Sequence, residues 1–175
     1  MDQLKTIFSR EAIQRRVEEL AAAISEDYGG KTEPVVAICV LKGAFVFFAD
    51  LIRELHFGPE LDFVRLASYG KETSRGEKVV FTKDIEVSIA DKHVLIVEDI
   101  VDTGNTVDYL ARVLKTRNPR SVKICALVHK TSRREVPVNI DFYGFKLTGG
   151  FIVGYGLDYA EQYRNLPNIC ELACS

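Results

Sequence analysis

A chain of 175 residues with 47% hydrophobic and 27% charged side chains is long enough for one soluble domain with a substantial core. Its formal charge of −2 argues against an overall polyanion-binding surface, so no nucleic-acid partner is expected. The opening MDQLKTIFSREAIQRR has no apolar h-region, and the longest apolar runs (residues 35–41 and 44–49) are too short to span a bilayer, which predicts a cytoplasmic protein with no membrane partner.

Along the chain, Ser9 can cap a helix that runs to about Tyr28, because Ile13, Val17, Leu20, Ala21 and Ile24 recur at helical spacing. Gly29-Gly30 ends it. The stretch Gly29-Gly30-Lys31-Thr32 resembles part of a P-loop, but Ser25 stands where the first glycine belongs and a helix precedes it rather than a strand. Residues 34–41 (PVVAICVL) form a continuous apolar run, as expected of a strand buried on both faces. Residues 44–56 follow a helical pattern that Gly58-Pro59 stops, and residues 61–68 read as a strand.

Residues 69–78 (YGKETSRGEK) are polar and contain two glycines, which predicts a loop that closes as a mobile lid. Strands follow at 79–82 and 92–97, then a helix at 104–116 with Val107, Leu110, Ala111 and Leu114 on one face. Further strands are expected at 121–128, 140–145 and 169–172. Strands that alternate with helices of about a dozen residues predict parallel βαβ units in an α/β sheet. The N-terminal helix and the aromatic tail fall outside this alternation and are expected to pack together as a cap. Cys39, Cys125, Cys170 and Cys174 form no CxxC, and two lie in apolar strand-like runs, so they are read as reduced thiols.

The chemistry concentrates in HVLIVEDIVDTGNTV, residues 93–107. An apolar strand delivers Glu98 and Asp99 to its carboxyl end, where ligands bind in parallel sheets. The turn Asp102-Thr103-Gly104-Asn105-Thr106 then opens a helix whose free N–H groups and dipole attract an anion. Gly104 permits close backbone approach, and Thr103 and Thr106 add hydroxyl donors. Carboxylates beside a phosphate cradle make sense if the ligand also carries sugar hydroxyls, or if a divalent cation stands nearby. A phosphorylated sugar meets both demands. A lone D-T-G would be read as a helix cap, and the complete E-D-x-x-D-T-G-x-T string asks for more.

This string resembles the phosphoribosyl pyrophosphate (PRPP) signature of the type I phosphoribosyltransferases. Leu41-Lys42-Gly43-Ala44 with residues 47–51, Ser68-Tyr69-Gly70, Lys130 with Ser132-Arg133-Arg134, residues 151–159 (FIVGYGLDY) and Arg164-Asn165-Leu166-Pro167 resemble the further motifs of that family's bacterial hypoxanthine branch, in the same order. The resemblance implies a central, mostly parallel sheet flanked by helices, with a small hood from the N- and C-terminal segments. On that pattern residues 1–175 form one domain, with a core at about 30–145 and a hood from the N-terminal segment and about 146–175.

It further implies purine salvage: transfer of the phosphoribosyl group from PRPP to hypoxanthine, and to guanine, with release of pyrophosphate. Asp102 would act as general base or acid at purine N7. Residues 102–106 (Asp102, Thr103, Gly104, Asn105, Thr106) would bind the 5′-phosphate, and Glu98 and Asp99 the ribose hydroxyls. Lys42, Gly43 and Arg164 would meet the pyrophosphate, next to a cis peptide between Leu41 and Lys42. Lys130, Phe151, Ile152 and Asp158 would hold the purine, Ser68 and Tyr69 would begin the mobile loop, and Mg²⁺ would engage Glu98, Asp99 and Asp158. The family also implies a homodimer or homotetramer. Two rivals stay open: a xanthine- or guanine-preferring relative, and a nucleic-acid-binding regulator on the same fold. An isolated lysine at a strand end, or an arginine on a surface, is by default only solvated, so Lys130 and Arg164 rest on the resemblance.

Overall fold

The fold is given by a computed structural model that describes residues 3–69 and 78–173. In chain order the elements are β1 (Gln3–Phe8), α1 (Arg10–Tyr28), β2 (Val35–Leu41), α2 (Phe45–Glu54), β3 (Glu60–Tyr69), β4 (Lys78–Lys83), β5 (His93–Val101), α3 (Asn105–Lys115), β6 (Ser121–Lys130), β7 (Phe142–Leu147), β8 (Ile152–Val153) and β9 (Ile169–Ala173). Six strands form one sheet in the order β4-β3-β2-β5-β6-β7. All its pairings are parallel except β3 with β4.

The central strands are buried on both faces, and this is why they read as unbroken apolar runs. Alternate residues separate into two cores. Ala37, Cys39, Leu95 and Val97 face Ile13, Val17, Leu20 and Ile24 of α1 and Phe47 and Leu51 of α2. Val36, Ile38, Val94 and Ile96 face Val107, Leu110 and Leu114 of α3. Ser9 caps α1 by accepting from the Ala12 N–H at 3.3 Å. Gly29 stands at the other end of that helix, where the Gly-Gly pair was expected to stop it.

The exposed end of the sheet at β7 is covered by Arg16 of α1. Its Nε and Nη2 donate to the carbonyls of Gly144 and Tyr143 at 2.6 and 3.0 Å. A Cβ on Gly144 would come within 2.6 Å of the Leu127 carbonyl, so the absence of a side chain lets β7 close on β6.

Several sequence expectations are refined: strand β6 runs to Lys130 rather than 128, and β7 spans Phe142–Leu147 rather than 140–145. Helix α2 stops at Glu54, before the expected end at 56, because Leu55 turns extended and its neighbour His56 donates its N–H to Ser25 Oγ at 3.0 Å. Helix α1 lies with α2 on the large sheet and also meets the tail, sharing a core with Ile152, Tyr155, Leu157 and Ile169 and donating its Arg10 N–H to Asn168 Oδ1 at 2.8 Å, while the strand partner of the tail is β1, which pairs antiparallel with β9 in a second sheet of order β1-β9-β8. Neither β1 nor β8 was foreseen. Strand β5 runs on to Val101 instead of ending at 97. Gly70 and the rest of the expected lid, residues 70–77, lie outside the described residues, as does Cys174; Ser68 and Tyr69 close β3 and pair with Val79 and Lys78. Cys39, Cys125 and Cys170 are buried free thiols, and no helix among the described residues is long and apolar enough to cross a membrane.

Candidate active site

The acidic pair sits within β5, near its carboxyl end, rather than in the loop after it. Glu98 pairs in register with Ala126, Ile100 with Val128 and Val101 with His129. Consecutive strand residues start toward opposite faces, yet at the strand end the two carboxyls stay within hydrogen-bond reach of each other. Glu98 is buried and lines a cavity of about 120 Å³ together with Val101, Asp102, Thr103, Gly104 and Thr106. Asp99 lies against Gly43: a Cβ there would fall 1.6 Å from Asp99 Oδ2. Asp99 donates its own N–H to Glu98 Oε1 at 3.2 Å, and its Oδ1 accepts from the Ile100 N–H at 2.8 Å.

Burial, and then the charge of Asp99, push the Glu98 carboxyl well above the usual carboxylate range. Burial raises Asp99 as well, against the hydrogen bonds it accepts. The same surroundings act on Cys39 beneath the pair, whose thiol is pushed up to about 12 by burial and then by the two acids. It is therefore an inert core thiol.

The turn after β5 has the form of an anion cradle. Gly104 stands at the N-cap of α3 with φ 91° and ψ −13°, and no side chain of the described residues caps the helix. A Cβ at Gly104 would meet the Val136 carbonyl at 2.8 Å and Arg134 Nη1 at 3.1 Å, so glycine is required both by its dihedral and by its neighbours. The loop is pinned from outside, where the Thr103 carbonyl accepts from Glu135 N–H at 2.9 Å and Val136 N–H at 3.1 Å. The Asn105 side chain turns away to Glu135, donating to Oε2 at 2.7 Å, so its only contribution to a cradle is its backbone N–H, held toward Thr103 Oγ1 at 3.4 Å. Among the described residues Asp102 Oδ1 is buried with no hydrogen-bond partner, and Oδ2 lies 3.5 Å from Arg133 Nη1. A buried acceptor left unpaired costs about 1–3 kcal/mol, which makes Oδ1 a waiting site for a donor.

Next to Asp99 the chain makes a cis peptide between Leu41 and Lys42. Gly156, at φ 100°, backs this loop so closely that a Cβ would come within 2.2 Å of the Gly43 carbonyl. Arg164 Nη1 donates to the Gly156 carbonyl at 2.7 Å, and Nη2 pairs with Asp158 Oδ1 at 2.8 Å. Both Lys42 and Arg164 also pair with Glu161, at 2.9 and 3.3 Å, and these two hydrogen bonds hold the Glu161 carboxyl below its usual value. The adjacent Lys42 and Gly43 are thus brought next to Arg164, from the other end of the chain.

Lys130 ends β6 and is only 8% exposed, so it is not the solvated lysine that its position alone would suggest. Arg134 Nη2 fixes its carbonyl at 3.0 Å and that of Val101 at 3.2 Å, tying the ends of β5 and β6 together. Phe151 is 43% exposed, and its ring meets that of Tyr159 edge-on at 5.4 Å and 82°. Ile152 is buried in β8 opposite Glu171. Asp158 has both oxygens engaged, Oδ2 accepting from the Glu161 N–H at 2.9 Å. Among the described residues no three His, Cys, Asp or Glu side chains gather as a metal cage, so Glu98, Asp99 and Asp158 do not share one centre.

Sequence reasoning assigned no role to Glu161, Arg133, Arg134 or Gly156. The two arginines had a local signal in the motif of Lys130 with Ser132-Arg133-Arg134. Glu161 had none, because its contact with Lys42 spans 119 residues.

Residues 3–160 match the phosphoribosyl transferase domain family. The chain is 43% identical over 166 residues to hypoxanthine phosphoribosyltransferase of Buchnera aphidicola, covering 95% of this chain and 94% of that protein. It is 45% identical over 157 residues to the hypoxanthine phosphoribosyltransferase of Escherichia coli K12, covering 90% and 88%. A crystal structure of a hypoxanthine-guanine phosphoribosyltransferase from Bacillus anthracis superposes with a TM-score of 0.92 at 43% identity, covering 98% of this chain and 100% of the other.

Proposed function

The chain belongs to the phosphoribosyltransferase family, and from that premise we propose that it is a cytoplasmic purine-salvage enzyme that transfers the phosphoribosyl group of PRPP to hypoxanthine and guanine. The products are IMP or GMP and pyrophosphate. The observation that carries the reading is the buried, unpartnered Oδ1 of Asp102 beside the uncapped N-terminus of α3. A purine N7 proton is the donor it lacks, and a 5′-phosphate is the anion its helix end attracts.

Each group then has a task. Residues 103–106 bind the 5′-phosphate through backbone N–H and hydroxyl donors. Glu98 and Asp99 accept from the ribose hydroxyls, and their charge favours the oxocarbenium character that grows at the anomeric carbon as the bond to pyrophosphate lengthens. Lys42, Gly43 and Arg164 receive the charge that collects on the leaving pyrophosphate. Lys130 donates to purine O6, which favours 6-oxopurines over adenine, whose exocyclic amine offers a donor instead. Phe151 covers one face of the base, with its ring plane held by Tyr159.

The two raised carboxyls fit a divalent cation nearby, since a positive charge would favour their ionised forms. Mg²⁺ usually takes one or two carboxylates with substrate oxygens and water rather than an all-protein cage. Glu98 and Asp99 would hold it with the ribose and pyrophosphate, while Asp158 would have to exchange its bond to Arg164 to join them. When bound, the ion supplies charge neutralisation of the leaving pyrophosphate. Assembly as a homodimer or homotetramer completes the proposal and is checked by light scattering.

The test is a coupled pyrophosphate-release assay with PRPP, Mg²⁺ and, in turn, hypoxanthine, guanine, xanthine and adenine. Turnover with the first two supports the reading. A preference for xanthine would reassign the substrate, and no turnover with any base would remove the activity.

A further inference from the structure

Glu161 occupies an unusual place. It is the third residue of a tight turn, Tyr159-Ala160-Glu161-Gln162, closed by hydrogen bonds in both directions between Tyr159 and Gln162 at 3.2 and 2.9 Å. Ala160 and Glu161 have φ of 50° and 63°, the left-handed pair of a type I′ turn that Asn and Gly normally fill. Two L side chains in that conformation are disfavoured, and such outliers persist where the surroundings hold them for a purpose. The Glu161 N–H is tied to Asp158 Oδ2 at 2.9 Å. The turn aims the carboxylate outward between two cations. Oε1 takes Lys42 Nζ at 2.9 Å, and Oε2 takes Arg164 Nη2 at 3.3 Å. One oxygen to each cation is the arrangement of a small bridging anion.

We infer that Glu161 is a built-in competitor for the pyrophosphate group: its carboxylate bridges Lys42 and Arg164 while the subsite is empty and gives way when the pyrophosphate of PRPP enters. The inference rests on the pyrophosphate role proposed above for Lys42 and Arg164. Both partners of the Lys42 pair are well exposed, so the bridge is weak enough to be displaced by a ligand with several negative charges. Meanwhile it keeps two long, flexible cations at the subsite. It also makes pyrophosphate easier to lose, because the departing anion is replaced at once by an internal one.

The two functions of Glu161, positioning and competition, oppose each other in a measurable way. If competition dominates, removing the charge must tighten anion binding, an effect that loss of a merely structural residue would not produce. The experiment measures pyrophosphate affinity by calorimetry with Mg²⁺, together with KM for PRPP and for hypoxanthine, in the wild type, Glu161→Gln and Glu161→Gly. Glutamine keeps the shape, and glycine suits the positive φ. Both variants are expected to bind pyrophosphate about three- to tenfold more tightly, with a matching fall in KM for PRPP and no change in KM for hypoxanthine. Unchanged or weaker pyrophosphate binding in both variants, with the wild type binding normally, overturns the inference alone. A wild type that binds no pyrophosphate overturns the inference and the proposed subsite together.

Discussion

Gly43 and Asp99 meet so closely that a Cβ on Gly43 would lie 1.6 Å from Asp99 Oδ2. The contact joins the loop after β2 to the end of β5, the two neighbours at the centre of the sheet. Gly43 has no positive φ, so its need for glycine comes from space alone. In Gly43→Ala the colliding atoms, Asp99 Oδ2 and Cγ at 1.6 and 2.6 Å, belong to a side chain rather than to backbone, so the carboxyl group must swing away as a whole. The fold should therefore survive while the carboxylate is displaced. The expected result is a loss of roughly ten- to hundredfold in kcat/KM, the size of one lost charged hydrogen bond, with Tm nearly unchanged. Normal kinetics would show that the position of Asp99 is not critical.

The acidic pair should carry a stability penalty that its function requires. The folded-state value of Glu98 lies above its unfolded value of about 4.3. Between those two pH values the folded protein retains a proton that the unfolded chain has lost. Stability is therefore highest below the unfolded value and falls as pH rises through the folded one, by at most about 1.4 kcal/mol per pH unit for one group. Glu98→Gln removes this titration. Its Tm should gain on that of the wild type as pH is raised from acid to neutral, while kcat/KM falls. Parallel Tm curves against pH would show that Glu98 is not held protonated. Adding Asp99→Asn should deepen the loss of activity with the fold intact.

Lys130→Met tests the reading of the base. A hydrogen bond from a charged donor is worth about 1.5–3 kcal/mol, so kcat/KM for hypoxanthine and guanine should fall together by roughly ten- to hundredfold. Adenine should not gain fully, because the pocket loses a mismatched donor without acquiring an acceptor. PRPP affinity, followed by calorimetry, should hold. Unchanged hypoxanthine kinetics would return Lys130 to a structural role, and a collapse of PRPP affinity would move it to the phosphate side.

Tyr155 links the tail to α2. It is buried, and its hydroxyl donates to Asp50 Oδ2 at 2.6 Å while Asp50 also pairs with Arg53. Burial, and then the bond to Asp50, raise the phenol far above its ordinary value, so it stays a donor at every physiological pH. Tyr155→Phe should lose about 1–2 kcal/mol and lower Tm by a few degrees, leaving KM for hypoxanthine close to normal. A shift in that KM without a change in Tm would instead make the hydroxyl a determinant of base binding.

Sequence alone determined the alternation of strands and helices and the phosphate loop. Both are written in local pattern: a parallel strand buried on two faces needs an unbroken apolar run, a helix on that sheet needs apolar residues at its own period, and a cradle at a helix start needs hydroxyls and a glycine in consecutive positions. Only the tertiary structure decided what depends on residues distant in the chain. Strand β1 exists because β9, from the opposite terminus, offers it a partner, and a short edge segment has no signature of its own. The continuation of β5 through Glu98 and Asp99 follows from pairing with β6, which holds two acids in a strand where local composition reads as a loop. Lys42 meets Arg164 through Glu161 because chain segments more than a hundred residues apart converge beyond the carboxyl ends of the strands, and Lys130 is buried at the end of β6, which lies between β5 and β7. Side-chain charge and spacing state which groups are present, and the desolvation and distances that set their chemistry arise only when the sheet brings them together.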